Sequence, residues 1–504
     1  MSDDAATLDL TDLPRPILAD HPEWVALYDT AWQLAANNVR QTRGRDHMCC
    51  AWDPNRNWQW VWDTCFIALY CRYSDGQLPG MAALDNFYDL QSDDGYISMT
   101  YDMDNGKEPW PNRINPPLFA WVEWEHYQTT GDASRFETVA PKIEKLMQWI
   151  EDNRRTQPHR RRCATDSPDA GRGESQDSYQ LYYFVDCGSS GMDNSPRTPR
   201  MDEAGQFFDW IDLSSQVALS ARCLSQIFDV MGNASRAAHW SARCKEIGEL
   251  INTELWCEPT RFYHDRLLPV NFVNCKSAAG FWPMLAGVCP PERVQSLAEH
   301  LRDEKSFGRP VPVPSLSADD PNYDAKGAYW LGGVWAPTNY MVTRGLTNVG
   351  QGDLAHDIAS RYLAAIAEVY ETVEPATFWE AYSSEYREPA TTAYTGNRVR
   401  PNFVGWTGLG PIAMLIENIL GIDIDVPHKH ITWTIRQTCE HGLSNIVMGD
   451  GKKARLHCKP RDSASAPAEV TLRSDEDITV TLSRGIEQCD VKVSGSAEPI
   501  TVIV

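Results

Sequence analysis

The chain has 504 residues, enough for one large domain and a smaller companion. A formal net charge of −23 and a pI near 4.9 set it against nucleic acid and anionic membrane surfaces as partners. Its 19 tryptophans are roughly three times ordinary usage, and a flat apolar ring with one N–H suits both core packing and stacking on a sugar.

The opening MSDDAATLDL has neither a basic n-region nor an apolar run, so no secretory leader is expected. No apolar stretch approaches the ~20 residues of a membrane span. The 14 cysteines include an adjacent pair, Cys49-Cys50, but no Cys-x-x-Cys, and they read as buried free thiols in a cytoplasmic setting. Neither a metal nor another cofactor is expected. Self-association is left open.

From about residue 20 to 425 the periodicity is helical. Leu213, Val217, Ala221, Leu224, Phe228 and Met231 form an apolar stripe, with Asp212 as the expected N-cap. Gly232-Asn233 ends that helix, and Trp240, Cys244, Ile247, Ile251 and Leu255 mark a second, antiparallel one. Similar breaks at Gly131–Arg135, Cys289–Glu292 and Gly352–Leu354 give helical hairpins of about 50–60 residues, stacked as a solenoid or closed as a toroid. Long aromatic and proline-rich connections at 50–62, 92–117, 184–209, 308–339 and 371–407 interrupt them, a length usually tied to function. The polar run 153–180, with Arg160-Arg161-Arg162, reads as a surface excursion. After Gly421 the alternation in 431–435, 468–472 and 478–482 has period two, and the tail reads as a small antiparallel β domain.

Five constellations could carry chemistry. Trp58-Gln59-Trp60-Val61-Trp62-Asp63 reads either as an extended segment lying on the core or as a sugar grip by Trp62 and Asp63. In Ser190-Gly191-Met192-Asp193-Asn194-Ser195-Pro196, Asp193 is either a turn or cap aspartate or an acid, with Asp186 its local rival. The run Tyr329–Tyr340 reads as a subsite wall or as close helix packing. Glu380, inside Phe378-Trp379-Glu380-Ala381-Tyr382, could hold water as a general base, with Glu371, Glu374 and Glu385 as rivals. Gly405-Trp406-Thr407 completes the set.

In this order the five motifs resemble the six-hairpin glycosidases of glycoside hydrolase family 63 and the mannosylglycerate-hydrolase-like enzymes, with trehalases more distant. The resemblance implies an (α/α)6 barrel over 21–425, preceded by an extension (1–20) and followed by the β domain (426–504). It further implies inversion at an α-glucoside or α-mannoside, with Asp193 as general acid and Glu380 as general base. Trp62, Asp63, Asn115, Arg197, Tyr329, Trp330, Trp335, Trp379, Tyr382 and Trp406 are the matching candidates for substrate contact. Leu331, Asn115-Pro116-Pro117 and Ala381–Glu385 depart from the family pattern, so the sugar and leaving group are not carried over. Two other readings stand beside it: an epimerase or lyase on a similar toroid, and a non-catalytic carbohydrate-binding protein.

Overall fold

The structure, a computed structural model, describes residues 8–42, 44–48, 56–156, 181–198, 208–267 and 271–504. Cys49-Cys50 and most of the polar excursion, including its arginine run, lie outside the described residues.

Twelve helices run in chain order among the described residues: α1 (Pro22–Ala36), α2 (Val61–Cys71), α3 (Gly80–Asp89), α4 (Phe119–Thr130), α5 (Phe136–Asn153), α6 (Ile211–Val230), α7 (Ala234–Glu254), α8 (Trp282–Ala286), α9 (Pro291–Arg302), α10 (Ala336–Asn348), α11 (Gly352–Thr372) and α12 (Gly410–Ile419), the last wound as a π-helix. They divide by composition. The sequence of α2, VWDTCFIALYC, is apolar all round, and ten of its eleven residues are buried. By contrast, α7 keeps a polar face and buries only Ala237, Trp240, Ile247, Gly248 and Ile251. A helix without a polar face needs neighbours on every side, whereas a striped one needs them on one side only.

The contacts follow this division. α2 packs on α4, α4 on α6, α6 on α8, α8 on α10, α10 on α12, and α12 returns to α2. α1 and α11 lean on α12, α3 on α2, α5 on α4 and α6, and α7 along α6. Gly131, at φ 75°, closes α4, and the Asn233 side chain caps α7 by accepting from the Arg236 amide. Asp212 does not cap α6: the helix begins at Ile211, and Asp212 turns inward to Arg197 at 2.7 Å. Its other oxygen, Oδ1, accepts from the Leu213 amide at 2.9 Å, so the carboxylate serves the ion pair and the first turn of the helix together.

After α12 come two sheets. One has strand order Arg15–Leu18, His441–Val447, Lys453–Cys458, Glu469–Ser474, Ser496–Ile503, antiparallel throughout. The other is ordered Ile422–Asp425, His430–Thr434, Ile478–Arg484, Glu487–Val493, and its central pair is parallel. The expected all-antiparallel tail is therefore corrected to a mixed one. Alternation of period two reports which face is buried and carries no information on strand direction. The N-terminal extension is also not a free appendage, because Arg15–Leu18 supplies an edge strand to the C-terminal sheet.

The described cysteines are free thiols, most of them buried, although Cys489 is exposed. Among the described residues no helix is long and apolar enough to cross a membrane.

Candidate active site

The long connections converge because each precedes a helix of the closed ring. Trp62 and Asp63 lie in the first turn of α2, Asn115 just before α4, Asp193 in the loop leading to α6, Tyr329 and Trp330 before α10, and Glu380, Arg400 and Trp406 before α12. All of them line one cavity of about 410 Å³. Positions spread over more than 340 residues thus share one end of the ring.

The Asp193 loop is a folded turn with its own scaffold. Asp186 Oδ1 accepts from the Ser189 amide and from its hydroxyl, each at 2.8 Å, while Asp186 Oδ2 pairs with Arg113 at 2.8 Å. The rival acid is therefore a brace for the loop. Gly191 sits at φ 81°, and a Cβ there would come 2.9 Å from the Trp62 ring, so only glycine allows the loop to lie flat on that indole. Asn115 joins the same pieces: its Oδ1 accepts from the Trp62 amide at 3.4 Å and its Nδ2 donates to Ser189 O at 3.0 Å.

Asp193 is reached by solvent through the cavity, yet protein surrounds it closely. Burial first, then the charges of Asp63, Glu380 and Asp186, push its carboxyl up to about 7. It is poised to hold a proton near neutral pH. Glu380 is buried, at 7% exposure. Burial raises its pKa too, but Arg400, together with the Tyr329 hydroxyl, works against that rise. The Tyr329 hydroxyl donates to Glu380 Oε1 at 3.1 Å, and the Arg400 amide lies 3.4 Å from Oε2. Tyr329 itself is pushed far up by burial and by the Glu380 charge, so it remains a donor.

Asn194, next to the acid, is not among the expected site residues, although its motif is. Its Nδ2 donates to Ala328 O at 2.9 Å and its Oδ1 accepts from the Trp330 amide at 2.8 Å. These two bonds bracket Tyr329. Ala328 and Tyr329 both have positive φ, 35° and 68°, a conformation that side chains disfavour and that neighbouring bonds must hold. The Asp193 loop thereby grips the residue that hydrogen-bonds Glu380.

Other expected contacts fall elsewhere. Arg197 does not line the cavity. It is 1% exposed and pairs with Asp212 at 2.7 Å and Asp265 at 3.3 Å, with Trp210 beneath its guanidinium. Trp335 lies behind Trp330, their rings stacked 4.1 Å apart, and its N–H donates to Tyr329 O at 3.3 Å. Trp379 and Tyr382 are also buried behind the wall, where the Tyr382 hydroxyl accepts from the Trp379 amide at 3.2 Å. Trp379 adjoins Glu380 in sequence, and successive residues of an extended segment point opposite ways; the backbone of Tyr382 pairs with Val334. Among the rival bases, Glu371 and Glu374 are exposed, and Glu385 is tied bidentately to Arg309 at 2.5 and 2.7 Å. Trp58, Trp60, Trp110, Arg56, Arg113 and Arg400 line the cavity without being among the expected contacts.

Comparison with known proteins agrees with this arrangement. The domain family described as the mannosylglycerate hydrolase MGH1-like glycoside hydrolase domain matches residues 56–391. An uncharacterized protein of Borreliella burgdorferi is 26% identical over 392 residues, covering 76% of each chain. The mannosylglycerate hydrolase of Thermus thermophilus is 23% identical over 383 residues, 61% of this chain and 86% of that protein. Two solved structures share the fold. One is a GH63 mannosylglycerate hydrolase from Thermus thermophilus in complex with glucose, with a TM-score of 0.60 at 19% identity over 77% of this chain and 100% of that one. The other is a GH78 family rhamnosidase of a Bacillus species, with a TM-score of 0.65 at 15% identity over 94% of this chain and 43% of that one. The family match spans both carboxylates and most of the loops that hold them, and the chain belongs to the MGH1-like glycoside hydrolases.

Proposed function

We propose that the protein is an inverting α-glycosidase of a small α-glucoside or α-mannoside, built on an (α/α)6 barrel whose inner ring is α2, α4, α6, α8, α10 and α12. The observation that carries this reading is the unequal pair of carboxylates in one cavity. The Asp193 carboxyl is pushed up to about 7, so that it carries a proton over a pH range where ordinary aspartates do not, while Glu380 is offered a hydroxyl donor and a nearby cation.

In this mechanism Asp193 gives its proton to the glycosidic oxygen as the C1–O bond breaks. Glu380 takes a proton from water attacking C1 on the opposite face, through an oxocarbenium-like transition state. Tyr329 donates to Oε1 at 3.1 Å and the Arg400 amide to Oε2 at the longer distance of 3.4 Å, and together they hold the carboxylate in place to take the water's proton. Asp63 and Trp62 form the wall around the sugar. No metal or cofactor enters any step. The buried free thiols support a cytoplasmic setting as part of the same reading.

Mannosylglycerate, named for the relatives' activity, is the first compound to assay, followed by α-glucosides and α-mannosides. NMR of the first-formed sugar decides the stereochemistry: β-anomer is expected, and α-anomer from an α-linked substrate overturns inversion. Asp193→Asn and Glu380→Gln should each remove nearly all turnover of a folded protein.

A further inference from the structure

The strand Trp58–Trp60 has its polarity reversed. An ordinary half-buried strand turns apolar residues to the core and polar ones outward. Here the middle residue, Gln59, is the buried one, at 1% exposure. Its amide donates to Thr64 Oγ1 and to Ala83 O, and its oxygen accepts from Asn86 Nδ2 at 3.1 Å. The two tryptophans flanking it, two residues apart and so on one face, look into the cavity instead. Trp110 joins them from the loop after the partner strand Thr100–Asp102. The Trp58 and Trp110 ring centroids are 5.2 Å apart, and those of Trp60 and Trp110 are 5.1 Å apart. All three are half-buried, while seven other tryptophans among the described residues are fully buried.

This aromatic wall stands on the proton donor's side. Trp62, two residues after Trp60, is the indole on which Gly191 lies. Arg113, three residues after Trp110, pairs with Asp186, and Asn115 donates to Ser189 O. All three ties reach the loop that carries Asp193. The base's neighbours, Tyr329 and Arg400, come from other segments. A general acid protonates the leaving oxygen, so whatever lies beside it meets the leaving group.

We infer that Trp58, Trp60 and Trp110 form the leaving-group subsite and that it is built for a ring. The inference rests on the proposed glycosidase activity and narrows it: the leaving group is a second sugar whose flat face stacks on indole, and the substrate is an α-linked disaccharide or the end of a longer oligosaccharide. Trp60 and Trp110, tilted 33° to one another, offer the stacking faces, and Trp58 meets Trp110 edge to face with Arg56 over its own ring; a short linear leaving group such as glycerate presents no flat face to them.

The test compares α-linked gluco- and manno-disaccharides with mannosylglycerate and with the α-glycosyl fluorides, whose leaving group makes no contact of this kind. The wild type should give its highest kcat/KM on a disaccharide. Trp110→Ala and Trp58→Ala should lower the ratio of disaccharide to fluoride kcat/KM by about three- to tenfold each. Trp110→Phe, which keeps a ring, should restore most of it and guards against a folding defect. An unchanged ratio in the alanine variants, or mannosylglycerate preferred over every disaccharide, overturns the ring subsite while leaving the glycosidase reading intact. If neither the fluorides nor any α-glycoside is turned over, the glycosidase reading itself fails and the subsite falls with it.

Discussion

At Asp193, burial and three neighbouring carboxylates all push in one direction. The alkaline limb of kcat/KM should therefore fall near pH 7, where the acid loses its proton, and the acidic limb should lie above the usual glutamate range because burial raises Glu380. Asp63→Asn removes one of the opposing charges, so the alkaline limb should move to lower pH; no movement in a full pH–rate profile would contradict the charge coupling. The same shift acts on stability. Between the unfolded aspartate value of about 4 and the folded value near 7, the native state binds more protons, so stability drops as pH rises through that window. Asp193→Asn should then raise Tm more at pH 8 than at pH 5 by calorimetry. Asn194 gives a separate expectation. Asn194→Ala frees the Ala328–Trp330 turn and loosens Tyr329 from Glu380, so kcat should fall by about tenfold or more with the acidic limb displaced. A merely structural role would leave the pH profile of the folded variant unmoved. Asp193 and Glu380 could be picked out in sequence because each sits in a short motif. Arg197 could not be placed, because Asp212 and Asp265 bind it from 15 and 68 residues away.

Among the elements, the closed ring of helices has two dissimilar ends. One end carries the cavity; towards the other, Arg72 after α2, Glu125 of α4, Tyr340 and Arg344 of α10 and Glu417 of α12 meet in a buried ion network. Arg72 and Glu417 side chains are each 3% exposed and 2.7 Å apart. Removing one member strands a charge in the interior, so Arg72→Met should cost about 3–5 kcal/mol, read by denaturant titration. A loss below about 1 kcal/mol would mean that solvent already screens the cluster. The helical hairpins were legible from their stripes and their Gly-Asn and Pro breaks. This network was not, because Arg72 and Glu417 are 345 residues apart and each looks like a surface residue in its own sequence neighbourhood. The strand Trp58–Trp60 shows a related limit: its pattern of tryptophans was visible, but which side faced the core was decided by Gln59 and its partners.

On the scale of the whole molecule, the β sheets are fastened to both ends of the helical array. Ile422–Asp425 follows directly from α12, and Arg15–Leu18 precedes α1 and pairs with His441–Val447. A chain lacking residues 1–18 should lower Tm and aggregate more readily, because it bares the edge of the five-stranded sheet. Light scattering during heating would show this; unaltered melting would show the strand to be dispensable. The long-range strand pairing also imposes an order on biosynthesis. Arg15 and Ser444 bond across 429 residues, so the first strand leaves the ribosome roughly 20–90 s before its partner exists. Throughout that interval the helices can assemble hairpin by hairpin, while an unpaired strand stays available to other nascent chains. The last sheet to form is the step that ends this exposure, which makes the C-terminal region the natural place for chaperone dependence, whereas the cavity holding Asp193 and Glu380 is lined by residues from Met48 to Trp406.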